Sequence, residues 1–151
     1  MALEPGRKAP EFELLDEGGE KVRLKDYRGQ RVVVFFYPKA MTSGCTREAC
    51  DFRDEIALFS KKKVKVLGIS KDKPEAQRKF KEKYQLPFPL LSDADLEVQK
   101  EWGVWGKKNM YGKLVEGTIR TTVLVGADGK VEKVFPKVKV DGHVAEVLQS
   151  L

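Results

Sequence analysis

Cysteine, histidine and asparagine are scarce in this chain: Cys45 and Cys50, His143, and Asn109 are all it has in 151 residues. Two cysteines and one histidine cannot build a four-ligand zinc site of ordinary spacing, so neither a metal nor a cofactor is expected. No apolar run nears the ~20 residues of a spanning helix, which argues against a membrane partner. The amino-terminal stretch MALEPGRKAPEF shows no apolar segment after a basic start, so the expected compartment is the cytoplasm. In a reducing compartment two thiols are poor staples, leaving a cycling pair or a buried structural thiol as the alternatives. A single asparagine amid abundant Lys and Glu is the bias of proteins that work hot, an expectation that a thermal-melt midpoint in the ordinary mesophile range would sink.

The formal charge of +6 comes from 29 basic and 23 acidic residues. The lysines are dispersed through stretches such as KKKVKV, KDKPEAQRKFKEKY and KVEKVFPKVKV, with no basic block interleaved with aromatics. A solvated lysine surface explains them, and no nucleic-acid partner is expected. At 41% apolar and 34% charged residues the composition is that of a globular protein. Its length suffices for one continuous core, so residues 1–151 are expected to form a single domain.

FELLDEGGEKVRL, residues 12 to 24, alternates around EGGE and reads as a small hairpin flanking the main sheet. RVVVFFYP at 31 to 38 is a β-branched and aromatic run ended by Pro38, the pattern of a strand buried on both faces. From Thr42 to Phe59 the residues Ala49, Phe52, Ile56 and Phe59 recur at spacings of three and four, which predicts a helix. VKVLGIS at 64 to 70 reads as a second buried strand, and Pro74 as the first turn of a helix running to about Tyr84. This alternation predicts parallel pairing through right-handed crossovers. LPFPLLSD at 86 to 93 reads as extended and Ala94 to Trp102 as a short helix. TTVLVGADGKVEKVF at 121 to 135 is a hairpin pivoting on Asp128-Gly129, and HVAEVLQSL closes the chain as an amphipathic segment.

The chemistry concentrates in YPKAMTSGCTREAC, residues 37 to 50. With Thr42 as helix cap, Cys45 takes the third helical position, where free backbone N–H groups and the positive end of the helix dipole favour an anion. A thiolate there is the reactive form. The plainer reading is a small apolar residue in a first turn, but Gly44 permits close backbone approach and Thr46-Arg47-Glu48 is polar. Cys50 lies beside Ala49 on the inward side, where a core role is equally open. Five residues on a regular helix separate Cα atoms by roughly 8.6 Å, beyond the ~7 Å that a disulfide tolerates. If the two thiols do bond, the helix start must unwind.

Pro38, Thr42 and Cys45 match the P-x-x-x-T-x-x-C signature of peroxiredoxins. The second cysteine five residues on resembles the bacterioferritin comigratory protein, or peroxiredoxin Q, subfamily. Trp105-Gly106, Met110-Tyr111-Gly112-Lys113, Gly117 and Arg120 followed by TTVLVGADGK agree with it, so the resemblance runs from about Lys8-Ala9-Pro10 to the final helix. It implies an α/β, thioredoxin-like fold with a central mixed sheet and an amino-terminal β-hairpin. It further implies a thiol peroxidase for hydrogen peroxide and organic hydroperoxides, recycled by thioredoxin or a similar dithiol.

By that resemblance Cys45 attacks the peroxide to give a sulfenic acid and Cys50 resolves it as a disulfide. Thr42 would orient the peroxide and bond the thiolate, while Pro38 would shield the site from water. Arg120 would hold the sulfur ionised; the residue pattern alone reads it as a solvated side chain at a strand entrance. Glu48 would orient Arg120 or simply serve the helix dipole. The subfamily's usual proline is Ser43 here, which bears on the rigidity of the helix entrance. A monomer is expected, with a dimer as the alternative.

A dithiol-exchange enzyme would want C-x-x-C, which is absent. A redox sensor signalling to a partner protein through oxidation-coupled unwinding is the alternative function from another class. His143, near the terminus, reads as a surface or packing residue.

Overall fold

The computed structural model describes residues 3–151; Met1 and Ala2 of the amino-terminal stretch, and the side chain of Met110 in the downstream motif, lie outside the described residues. A hairpin of β1 (Glu13–Leu15) and β2 (Lys21–Arg23) comes first. Its turn is closed by Asp16 Oδ1, which accepts from the N–H groups of Gly18 and Glu20. A 3-10 turn (Leu24–Tyr27) leads into β3 (Arg31–Phe36). Then follow α1 (Ser43–Asp54), α2 (Ile56–Lys61), β4 (Val64–Ser70), α3 (Pro74–Tyr84) and β5 (Leu90–Ser92). The remainder is α4 (Glu97–Glu101), the ribbon β6 (Trp105–Met110) and β7 (Lys113–Thr118), the pair β8 (Thr121–Val125) and β9 (Val131–Phe135), and α5 (His143–Gln149).

Seven strands form one mixed sheet in the order β2-β1-β5-β4-β3-β8-β9, with β6 and β7 paired apart from it. The pairs β3–β4 and β4–β5 are parallel, as the strand–helix alternation predicts, whereas β8 joins β3 antiparallel. The amino-terminal hairpin is part of the sheet, attached through the Leu15–Ser92 bridge. Strand β3 is central and buried on both faces, and its period of two divides the core. Val33, Phe35 and Tyr37 face one cluster with Phe52, Phe59, Phe80 and Val147, while Val32, Val34 and Phe36 face another with Trp102, Leu67 and Val123. Each of these side chains, wholly withdrawn from water, contributes ~1.5–3 kcal/mol.

Gly68 in β4 serves this packing: a Cβ there would lie 3.0 Å from Phe35 Cζ and 3.1 Å from Tyr37 Cε1. The helix expected from Thr42 to Phe59 is in fact two, broken at Glu55 (φ −106°, ψ 9°), whose N–H bonds back to Phe52 O in a tight turn. The break reaims the chain so that Phe59 enters the core against Phe52, ring centroids 5.7 Å apart. The ribbon β6–β7 has no counterpart in the periodicity. Along β7 only Gly117 and Thr118 are buried, so no alternation marks it.

Candidate active site

Strand pairing explains why residues distant in sequence meet. Strand β8 runs antiparallel to β3 with Thr121 opposite Phe36, so Arg120 stands where β3 hands over to α1. Strand β4 runs parallel with Ile69 opposite Phe36, which brings Ser70 and Asp72 to the same end. A site at the carboxyl ends of parallel strands follows from this topology.

The loop from Tyr37 to Thr42 is pinned to that end. Tyr37 donates its backbone N–H to Ile69 O at 3.1 Å. The Ala40 N–H donates to Asp72 Oδ2 at 2.8 Å, and Ser70 Oγ donates to the same oxygen at 2.6 Å. Buried Gln77 donates to Ser70 Oγ at 2.9 Å and to Leu91 O at 2.8 Å, and accepts from the Tyr37 hydroxyl. Burial pushes the Tyr37 hydroxyl well above the usual phenol range, so it stays a neutral donor. Met41 then adopts a left-handed backbone (φ 71°), a conformation that costs a residue with a Cβ about 1 kcal/mol.

Thr42 caps α1 as expected, with extended backbone, and its carbonyl accepts from Thr46 N–H at 2.8 Å. The side chain does not cap: its hydroxyl donates to Lys39 O at 2.8 Å, and it has no hydrogen bond to Cys45 among the described contacts. Ser43 begins the helix, so Cys45 occupies the third helical position. Cys45 is buried within a core cluster, yet its sulfur accepts from Arg120 Nη2 at 3.3 Å. Gly44 makes room for this contact, because a Cβ there would lie 3.3 Å from the same Nη2.

The guanidinium's other arm, Nη1, bonds Glu48 Oε1 at 2.7 Å. Arg120 is thus a planar fork between sulfur and carboxylate, the geometry for which Arg is suited. Burial opposes its charge, but Glu48 and Cys45 outweigh burial and raise its affinity for the proton. Glu48 is fully buried; burial lifts its carboxyl to about 7, against the pull of Arg120. Lys108 on β6 adds positive charge nearby and donates to Thr118 O at 3.0 Å.

Cys50 lies half-buried on α1 about one and a half turns beyond Cys45, and both thiols are free. Burial pushes the Cys50 thiol up, so it rests protonated. Pro38 sits half-buried just past the end of β3. Of the residues expected at the site, Cys45, Arg120 and Glu48 are therefore in contact. Thr42 and Pro38 flank them, and Cys50 stands off on the same helix. His143 is the member that sequence reasoning placed only as surface or packing: it is buried, with Nε2 2.7 Å from Thr122 Oγ1 and 4.0 Å from Glu48 Oε2. Its isolation in sequence gave no signal of that proximity.

The AhpC/TSA family model matches residues 5–134. The putative peroxiredoxin bcp of Coxiella burnetii is 52% identical over 151 residues, covering 100% of both chains. The peroxiredoxin Bcp of Escherichia coli is 50% identical over 149 residues, covering 99% of this chain and 96% of that one. Among solved structures, a variant of Xylella fastidiosa PrxQ superimposes with a TM-score of 0.93 at 32% identity, covering 99% of this chain and 96% of its own. The Xanthomonas campestris bacterioferritin comigratory protein, studied for alkyl peroxide reduction, gives 0.87 at 38% identity, covering 92% and 88%. The architecture is accordingly the thioredoxin-like fold of these proteins.

Proposed function

The chain belongs to the AhpC/TSA family, as a thiol peroxidase of the peroxiredoxins, and on that premise we propose that it works through Cys45 and Cys50 as one domain over residues 1–151. The observation that carries the assignment of roles is the Arg120 fork, 3.3 Å from Cys45 Sγ and 2.7 Å from Glu48 Oε1. A fixed guanidinium stabilises the attacking sulfur as thiolate and the negative charge that builds on the peroxide oxygens as the O–O bond breaks.

Cys45 thiolate attacks the terminal peroxide oxygen; an S–O bond forms, the O–O bond breaks, and the departing alkoxide or hydroxide takes up a proton. The product is a sulfenic acid on Cys45 and an alcohol or water. Substrates are hydrogen peroxide and organic hydroperoxides. Thr42 holds the peroxide once its hydroxyl leaves Lys39 O, and Pro38 keeps water off one side of the sulfur. Cys50 then attacks the sulfenic sulfur, expelling water and forming the Cys45–Cys50 disulfide. Both cysteines lie on the continuous helix α1. Five residues of helix hold their Cα atoms roughly 8.6 Å apart, so the first turns must unwind for this step. A dithiol of the thioredoxin kind reduces the disulfide by exchange. The protein acts as a cytoplasmic monomer; no helix among the described residues is long and apolar enough to cross a membrane.

Mass spectrometry after one equivalent of peroxide tests both roles. The wild type is expected to show an intramolecular disulfide and Cys50→Ser a trapped sulfenic acid on Cys45, with Cys45→Ser inert. Peroxidase turnover surviving in Cys45→Ser ends the assignment. Oxidation without turnover by a dithiol would point instead to the sensor function.

A further inference from the structure

Beside the Arg120 fork stand a buried histidine that has no part in the mechanism and a buried carboxylate oxygen without a partner, and the two face each other. Glu48 Oε1 is taken by Arg120, but Oε2, in a wholly buried side chain, has no hydrogen-bond partner among the described residues. Facing it is His143 Nε2, at 4.0 Å. That ring is held edge-on between Phe52 and Phe135, with centroids 6.2 and 5.6 Å away, and its Nε2 is 2.7 Å from the Thr122 hydroxyl. An unpaired carboxylate oxygen out of water is costly, and it persists where the surrounding structure forces it.

We propose that Glu48 holds a proton in the folded protein, that His143 facing it across this gap governs whether the proton stays, and that the proton's presence sets how Arg120 divides its charge between Glu48 and Cys45. His143 is then a positioning residue acting through Glu48 and Arg120. The proposal rests on the reading of Cys45 as the attacking thiolate.

The charge balance around the pair supports this. Glu48 on α1 is faced by Arg120 from the approach to β8, by His143 from α5, and by Asp51 along its own helix. His143 is faced by Glu48, by Arg120, and by Glu146 one turn on, whose Oε1 is 4.0 Å from Nδ1. Cys45 shares its surroundings with Arg120, Lys108 and the neutral Tyr37. Burial disfavours the charged form of each partner, raising Glu48 and lowering His143, so a neutral carboxyl facing a neutral imidazole is the economical state.

With the proton present, Glu48 is neutral and Arg120 gives its whole charge to the sulfur. When the proton leaves, Glu48 takes a share of Arg120 and sets a second negative charge beside the thiolate. The loss of that proton thus weakens the hold of Arg120 on the negative charge at the sulfur.

The test uses the full chain carrying Cys50→Ser, which leaves one thiol, and follows the rate of Cys45 alkylation by iodoacetamide from pH 4 to 10. The Glu48 carboxyl is followed in parallel by 13C NMR. The expected profile carries an inflection near neutrality from Glu48, and Glu48→Gln removes it. His143→Gln places an amide N–H opposite Oε2, stabilises the carboxylate and moves that inflection to lower pH. His143→Phe removes the polar partner and moves it to higher pH. Each shift is expected to be roughly one pH unit. A merely structural role for His143 cannot produce opposite shifts. A parent profile without that inflection, or shifts of the same sign or none in the two variants, overturns the proposal. If His143→Phe does not fold, the sign of the Glu48 shift in His143→Gln decides. A Cys45 that iodoacetamide does not alkylate would sink the thiolate reading itself, and the carboxyl titration reports Glu48 and His143 independently of that failure.

Discussion

Two polar clusters grip the start of α1 from opposite sides, and they are built to different standards. On the β4 side, Tyr37, Gln77, Ser70, Asp72 and the Ala40 N–H form a chain in which every named donor has an acceptor. On the β8 side, Arg120 joins Cys45 to Glu48 with formal charges in the core and leaves Glu48 Oε2 bare. The first cluster fixes the loop as a scaffold does. The second holds imbalance, and in a low dielectric an unbalanced charge is what changes the reactivity of a neighbour.

The two clusters differ most at Arg120. Arg120→Met removes the cation that faces the sulfur, and second-order peroxide consumption is expected to fall ~10²–10³-fold, the usual cost of losing one preorganised charge donor. Stopped-flow mixing with hydrogen peroxide measures it; a rate within a few-fold of wild type would show that the β8 side is only scaffold.

The converse variant lies on the other side. Gln77→Leu leaves the Tyr37 hydroxyl, Ser70 Oγ and Leu91 O to find new partners, all in the core or beside it. The expected loss is about 1–3 kcal/mol of unfolding free energy, read from urea denaturation. The peroxide rate in the folded population should change far less than in Arg120→Met. A rate loss as large as that of Arg120→Met would erase the distinction between the clusters.

What the residue pattern conveyed divides along a similar line. The strands of the RVVVFFYP and VKVLGIS stretches and the helix opened by Pro74 are fixed by local spacing, and the structure has them there. Cys45 at the third helical position is also local, since a cap and three residues decide it. The fork of Arg120 onto Cys45 and Glu48 spans separations of 75 and 72 residues, and no periodicity encodes it; only the resemblance to a family singled Arg120 out. His143 was legible only as a residue type, because its partner across α1 is set by how α5 docks. The ribbon β6–β7 leaves no pattern in the sequence because it exposes Tyr111 and Leu114 rather than alternating them toward a core.

The β8 cluster should also write itself into stability. Glu48 binds its proton more tightly folded, at about 7, than in the unfolded chain near the ordinary carboxylate value. A raised folded value means that its contribution is fully present below the unfolded value and is lost as pH rises through about 7. His143, lowered by burial, has the opposite sign: its contribution is present above the ordinary imidazole range and lost as pH falls. Relative to Glu48→Gln, the wild type is expected to lose about 1 kcal/mol or more between pH 5 and 8. Gln77→Leu should run parallel to wild type over that span. Urea melts at the two pH values decide it, and parallel behaviour of Glu48→Gln would place the two clusters on the same footing.

The smallest effect belongs to an ion pair that only the unwinding step touches. Arg47 on α1 bonds Asp141 Oδ1, ahead of α5, at 2.7 Å, but both side chains are largely in water, 60% and 85% exposed. Such a pair contributes within about 0.5 kcal/mol, so Arg47→Ala should barely move the urea midpoint. The pair nonetheless ties the first turns of α1 to the segment leading into α5, and those turns must open before Cys50 can reach the sulfenic sulfur. Its removal should therefore speed disulfide formation by less than about threefold while leaving the preceding attack on peroxide unchanged, because 0.5 kcal/mol or so corresponds to little more than a doubling. Stopped-flow fluorescence resolving the two phases makes the measurement. An accelerated second phase with an unaltered first locates the barrier in the helix start; a slowed first phase would mean that Arg47 belongs with the charged cluster after all.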